Sequence, residues 1–471
     1  MKRKGLLILG LIAAVSLVSV PATISALVFA LPNVYQYTLY GAMKGKIDRV
    51  SETKGKKIVV IGGSSVPFSL NSKLIKECLP AYEPVDFGLY ASLGTNLMLD
   101  LALPHIGSGD IVIVTPEISA QTLSLYYDGL ETYKALEQNK GLLFSLDRKM
   151  GEALVGASSS WVSEKMAYLT KGAIPIPKDI YAKDSFNEYG DISVWRQGNI
   201  LPGGVDKNRP IRFEISDIGS GFMDKLNAFG KTCKERNASV YFRFSPVNDA
   251  SITNKENLGS FYDYLKNGLA FPILGDPYAA TLEKEWFYDT NYHLNSYGVK
   301  KWTKRFIQDI KLTLDDTSVT PLEDVDMPPL VGPSEDKDGD NSFVDHFSYV
   351  SGDDEATITG LLKEETSIVV PYRYQGKIVT SFEQKTFQGT AAVEEITIQD
   401  NIRMLHDGSF ANSSIKRIVI ENDLPNSLAV GEDLLRDSSA EIYVRAENVS
   451  AYKTSYNWAK YATKIHAIPE N

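Results

Sequence analysis

The sequence predicts an α/β protein with two folded domains and a transmembrane helix at its N-terminus. The first domain is a parallel sheet covered by helices on both faces, and the second is a solenoid of short β repeats. Three observations predict this: apolar strand-like runs alternating with helical segments up to about residue 314, an acidic Pro/Gly-rich break at 315–342, and β couplets recurring at near-regular spacing beyond it. At 471 residues the chain is too long for one ordinary domain. Its net charge of −10, with no basic stripe carrying interleaved aromatics, argues against a nucleic-acid partner.

Residues 5–31 carry no charged side chain over 27 positions, enough to span a bilayer, and longer than the apolar region of a cleaved signal peptide. Lys2, Arg3 and Lys4 precede the run, so the positive-inside rule keeps 1–4 cytoplasmic and places 32–471 outside, with 32–54 as a juxtamembrane stretch. The reading is a single-pass cell-membrane protein with its bulk extracellular. The two cysteines, Cys78 and Cys233, lack metal-ligand spacing, so no metal site is expected and a single disulfide is the lesser expectation.

In the first domain (55–314), Lys57–Gly63, Asp110–Glu117 and Ser239–Pro246 read as buried strands, with helices at 72–79 and 221–237. Ligands of such sheets bind at the carboxyl ends of the strands, where Gly62–Ser65, Thr115–Glu117 and Pro246–Asp249 fall. The last helix is predicted after His293, with Val299, Trp302, Phe306 and Ile310 on its buried face. The acidic stretch 315–342 has the composition of a solvated linker, and its Asp336–Asp340 segment only partly resembles a calcium loop. In 343–471 the couplets at Ile368, Ile396, Ile418 and Ile442 are 28, 22 and 24 residues apart. Phe387 and Phe410 lie 23 apart between them. This period with one strand per unit indicates a leucine-rich solenoid, and Tyr452, Trp458 and Tyr461 in the aperiodic tail read as a cap.

Two stretches carry candidate chemistry. An apolar run breaks at Gly62-Gly63 and presents Ser64 and Ser65. Far downstream, Phe287–Gly298 (FYDTNYHLNSYG) sets Asp289 and His293 just before a helix. A serine with a histidine base and an orienting carboxylate is the parts list of a serine hydrolase. Only five histidines are present, and His105, His346, His406 and His466 read as loop or structural residues. Glu117 at a strand end reads equally as an orienting group or a helix cap, and residues 185–192 (SFNEYGDI) as a surface insertion that would make a lid.

On these residues the first domain resembles the SGNH/GDSL hydrolase family, which implies a flavodoxin-like three-layer fold. Gly62-Gly63-Ser64 matches its first block, making Ser64 the nucleophile and Gly63 and Ser65 its neighbours. His293-Leu294-Asn295 with Gly298 matches the last block, although Asp289 stands four residues before the histidine instead of three. Gly88 fits the second-block glycine whose N–H joins that of Ser64 in the oxyanion hole. The third-block asparagine is missing at Thr115-Pro116-Glu117, and Asn248 is the substitute. The anchored arrangement is similar to D-alanine-transfer and alginate O-acetylation proteins, and 343–471 resembles BspA-like leucine-rich repeats of Gram-positive-type surface proteins. These resemblances imply an extracellular serine esterase or O-acyltransferase acting on cell-wall or surface glycan, without a cofactor, with a membrane acyl-transfer partner and a protein or glycan ligand for the repeats. The alternative is an inactive SGNH-like module in an adhesion protein whose repeats bind the ligand.

Overall fold

The computed structural model describes residues 27, 29–171, 180–332, 337–352, 355–383, 386–406, 408–425, 428–431, 434–455 and 458–469. The expected anchor at 5–31 lies almost wholly outside them. Among the described residues no helix is long and apolar enough to cross a membrane.

The first domain is α/β. Its central sheet is built from β1 (Lys56–Gly62), β2 (Tyr82–Gly88), β3 (Ile111–Val114) and β4 (Ser239–Phe242), all parallel, in the order β2-β1-β3-β4. The arrangement is compatible with a flavodoxin-like domain. β1 is central because Ile58–Ile61 are apolar on both faces and 0–2 % exposed. The sequence reading missed β2, whose Pro84 interrupts the strand pattern. Proline is tolerated there because β2 is an edge strand with one side free of ladder bonds. β3 is shorter than expected at both ends. Asp110 turns its carboxylate onto the Lys57 N–H at 2.7 Å and the Lys57 ammonium at 2.9 Å, while at the other end the Thr115 N–H still donates to the Ile61 carbonyl at 2.8 Å before Pro116-Glu117 leaves the strand.

Helices α1 (Ala42–Glu52), α2 (Ser65–Ser69), α3 (Ser72–Cys78), α4 (Thr95–Ala102), α5 (Gly129–Ala135), α6 (Arg148–Lys171), α7 (Phe222–Glu235), α8 (Leu258–Gly268) and α9 (Ser296–Thr313) surround it. α9 starts at Asn295, whose Oδ1 accepts from the N–H groups of Tyr297 and Gly298, and it buries Val299, Trp302, Phe306 and Ile310 as expected. Gly298 lets the helix approach closely: a Cβ there would sit 2.4 Å from the Trp286 carbonyl oxygen. Cys78 and Cys233 are both free thiols, so the disulfide expectation does not hold.

The stretch expected to be a solvated linker is docked at both ends. Val331 and Gly332 donate to the Asn199 carbonyl, and buried Thr320 donates to Gln308, both on the first domain. Lys337 pairs with Asp400 at 2.8 Å, and the Asp340 N–H donates to Gln399, both beyond the break. Residues 333–336 lie outside the described residues. The carboxylate of Asp338 faces Arg373 and that of Asp340 accepts from Ser342, so neither is arranged as a calcium ligand.

Residues 337–469 form a second core with two sheets. One orders β17 (Ile465–Ala467), β16 (Glu441–Val444), β14 (Arg417–Ile420), β12 (Glu395–Ile398) and β9 (Ser367–Val369), all parallel. β9, β12, β14 and β16 are the four predicted couplets, and β17 joins them, with Ile368, Ile396, Ile418, Ile442 and Ile465 in register and fully buried. The other sheet was not foreseen. It orders β15 (Ala429–Val430), β13 (Met404–Leu405), β11 (Lys377–Phe382), β8 (Glu355–Leu361) and β7 (Phe347–Ser351), with β10 (Arg373–Tyr374) pairing β11. The reading of one strand per unit therefore gives way to two. β13 and β15 span only two residues each, and the β-branched runs of β8 (Thr357-Ile358-Thr359) and β11 (Ile378-Val379-Thr380) fall outside the spacing of the isoleucine couplets. The tail is not purely a cap either, since β17 extends the first sheet beside β16. Tyr452, Trp458 and Tyr461 do close the core below it.

Candidate functional site

The site forms at the carboxyl end of β1. Directly after Gly62 the chain turns into α2, and Ser64 stands at the start of that turn, half-buried, while its flanks Gly63 and Ser65 are buried. Its Oγ lies 2.8 Å from His293 Nε2, and His293 Nδ1 lies 2.8 Å from Asp289 Oδ1. Residues 229 positions apart thus form one Ser–His–Asp relay. The four-residue offset between Asp289 and His293 is absorbed by a closed loop. Phe287 bridges Leu294, the Tyr288 N–H donates to the His293 carbonyl, and Thr290 Oγ1 accepts from the N–H groups of Tyr292 and His293. Asn291 pins the loop from below, with its side chain bonded to Asp206 and Arg209.

The ring of His293 is sandwiched in place. Phe68, one turn along α2 from the serine, stacks on it with centroids 3.8 Å apart and planes 10° off parallel. Asp289 shares its other oxygen with the Tyr181 hydroxyl, which donates at 2.5 Å. Burial by itself raises the Asp289 carboxyl, but His293, Tyr181 and Arg196 outweigh it and hold the group below the ordinary carboxylate value. Arg196 is buried, and among the described residues no carboxylate pairs with it. It donates to the carbonyls of Leu294, Ile192 and Val194, and burial pushes it down to about 10, so it stays cationic at neutral pH.

The expected oxyanion donors fare differently. Gly88 N–H donates to Asp86 Oδ1 at 3.0 Å, so it is spent inside the domain. The glycine is required for packing, because a Cβ there would meet the Gly63 carbonyl oxygen and Val66 at 2.5 Å. Asn248 is also spent: its amide donates to the Gly204 carbonyl and Asn291, and its oxygen caps Ala250. Neither of these two supplies the missing donor. Glu117 instead reaches the Ser64 turn. Its Oε1 accepts from Ser65 N–H at 2.8 Å and stands 3.5 Å from Ser64 Oγ, while Oε2 is buried without a hydrogen-bond partner. Gly63 makes room for it, since a Cβ at that position would lie 2.3 and 2.5 Å from the two carboxylate oxygens. Of its two readings, these contacts favour the group that orients a site residue, while the next α-helix, α5, is capped by Asp128. Ser65 Oγ is buried and takes no part in the relay.

Residues 185–192 are a brace, not a lid. Asp191 accepts from the N–H and Oγ of Ser72 at 2.7 Å, Ile192 N–H donates to the Pro67 carbonyl, and the buried Lys46 bridges Asp86 Oδ1 at 2.9 Å and the Gly190 carbonyl at 2.6 Å. This ties the insertion to α2 and α3 behind the serine. Sequence reasoning missed Tyr181, Phe68, Arg196 and Lys46, since none lies in a motif with the serine or histidine. Among the described residues no cluster of His, Cys, Asp or Glu has the makings of a metal site.

No family model matches this chain, and no curated protein does. Among solved structures, a leucine-rich repeat protein of T. pallidum matches 24 % of this chain and 73 % of its own at 20 % identity, with a TM-score of 0.17. A likeness that slight carries no argument about either domain.

Proposed function

We propose that this chain is a membrane-anchored serine esterase or O-acyltransferase of the SGNH type, working outside the cell on an acylated cell-wall or surface glycan. In this reading the C-terminal domain is a leucine-rich-repeat solenoid that engages a protein or glycan ligand. The observation that supports it above the others is the continuous relay from Ser64 through His293 to Asp289 at 2.8 Å per step. His293 takes the Ser64 Oγ proton as the oxygen attacks an ester carbonyl, because a serine hydroxyl is a poor nucleophile without a base. The leaving alcohol receives that proton from His293 as the ester C–O bond breaks, giving an acyl-serine. Water or a glycan hydroxyl then gives its proton to His293 and attacks, releasing Ser64. Asp289 holds the imidazole tautomer and offsets its charge. Ser64 N–H remains as the expected backbone donor to the oxyanion, while Ser65 N–H is held by Glu117.

The position of Glu117 favours a second reading, an inactive SGNH-like module in an adhesion protein. An anionic carboxylate beside the nucleophile opposes the negative charge that develops on the carbonyl oxygen. Fluorophosphonate labelling of the full chain separates the two. Labelling of the wild type that vanishes in Ser64→Ala and His293→Ala supports the enzyme. A wild type that resists labelling supports the binding module.

A further inference from the structure

The relay does not end at Asp289. Tyr181 donates to Asp289 Oδ2 at 2.5 Å while His293 Nδ1 faces Oδ1, so the carboxylate is gripped from both oxygens. The Tyr181 ring lies 5.8 Å from Phe68 and 6.4 Å from His293, completing an aromatic wall around the imidazole. Tyr181 is held in turn by the chain that follows the apolar run 5–31. Thr38 bridges Ala182 in antiparallel fashion, and Lys183 N–H donates to the Tyr37 carbonyl at 2.9 Å.

That stretch is itself fixed to the domain. The N–H groups of Val34 and Tyr35 donate to the Glu137 carboxylate at 2.8–2.9 Å. Glu137 pairs with Lys165 at 2.8 Å, with both side chains at most 2 % exposed. Lys165 and Lys140 both donate to the Leu31 carbonyl, and Tyr35 stacks on Trp161. Breaking a buried pair of this kind is costly, so residues 31–35 are firmly docked on the domain.

We propose that Tyr181 is a positioning residue for the Asp289–His293 pair, set in place by the juxtamembrane segment 31–38, so that the segment leaving the apolar run forms part of the active-site support. This rests on the hydrolase reading above. A carboxylate fixed by two donors presents one orientation to the imidazole, which is what a general base of fixed tautomer requires.

The test uses the full chain in detergent micelles with a p-nitrophenyl ester, comparing wild type with Tyr181→Phe, which keeps the ring and removes the donor. Expected are a kcat lower by about tenfold, a KM within about twofold and an unchanged thermal midpoint. The groups facing Asp289 are His293, Tyr181 and Arg196. Without the tyrosine donor the carboxylate holds a proton more readily, so protonation of Asp289 sets in at higher pH. Lys183→Pro, which removes the N–H that ties this segment to Tyr37, should reproduce the kcat loss. A second readout does not depend on activity: in 15N-histidine-labelled protein, the Nδ1 proton signal of His293 shifts in Tyr181→Phe. Wild-type kcat with an unmoved His293 signal overturns the proposal. A wild type inactive towards esters and unlabelled by fluorophosphonate sinks the hydrolase reading instead, and the His293 signal then still decides whether Tyr181 orders the pair.

Discussion

The first domain buries a set of charged and amide side chains in and behind the serine site: Lys46, Asp86, Glu117, Asp191, Arg196, Asn248 and Asn291. In the second domain the stacked positions are Ile368, Ile396, Ile418, Ile442 and Ile465, flanked by rings of Phe382, Phe387 and Phe410 at 5.1–6.1 Å. Its buried amides, such as Asn401 donating to the carbonyls of Val379 and Pro371, serve turns. The first domain concentrates buried polar groups around one serine, most of them hydrogen-bonded to specific partners, with Glu117 Oε2 an exception. The second spreads apolar contacts evenly over equivalent layers, where no single residue is special. Polar networks specify a geometry because an unmatched buried group is costly, while apolar layers supply stability that scales with area.

That contrast can be broken most forcefully at the relay. Ser64→Ala and His293→Ala should each lower ester cleavage by about 10⁴-fold or more and by similar factors, because the members act as a unit. The thermal midpoint of the first domain should hardly move, and a large drop in it would mean the serine is structural. Asp289→Asn should cost about 10²–10⁴-fold in kcat through loss of the tautomer, read from steady-state rates on the same ester.

The next effects are on stability, and they should stay within their own domains. Lys46→Met leaves Asp86 buried without its cation and should destabilise the first domain by about 3–5 kcal/mol. Phe387→Ala opens a hole between layers and should cost the second about 3–5 kcal/mol. Calorimetry should show each change on one transition. Coupled shifts would mean that the two cores unfold together.

A smaller effect sharpens the reading of the site itself. Glu117→Gln keeps the acceptor for Ser65 N–H and replaces a carboxylate oxygen with a donor where an asparagine amide is expected by resemblance. Ester cleavage should rise by about tenfold or more. A fall would mean that the charge of Glu117 is needed in the reaction. The smallest effect is expected at the exposed Arg445–Asp423 pair of the second domain, where Arg445→Ala should change stability by about 0.5 kcal/mol or less.

Where a residue's role follows from its neighbours along the chain, it could be read in advance. The β1 run ending at Gly62-Gly63, the face of α9 and the spacing of the isoleucine couplets are local patterns, a continuous apolar run, a 3.6-residue period and a repeat of about 24, and the structure places them accordingly. The sequence by itself therefore determined the alternation of strands and helices, the stack of the second domain, and the nomination of Ser64, Asp289 and His293. Tertiary structure alone decided which groups surround them. β2 escaped notice because Pro84 is harmless only on an edge, and edges exist only once strands are ordered. Gly88 looked like an oxyanion donor until Asp86, two residues away, was seen to take its N–H. Glu117 and Tyr181 come from segments 53 residues after Ser64 and 108 before Asp289. Their chemistry depends on a hydrogen bond of under 4 Å, a distance that composition and periodicity do not encode.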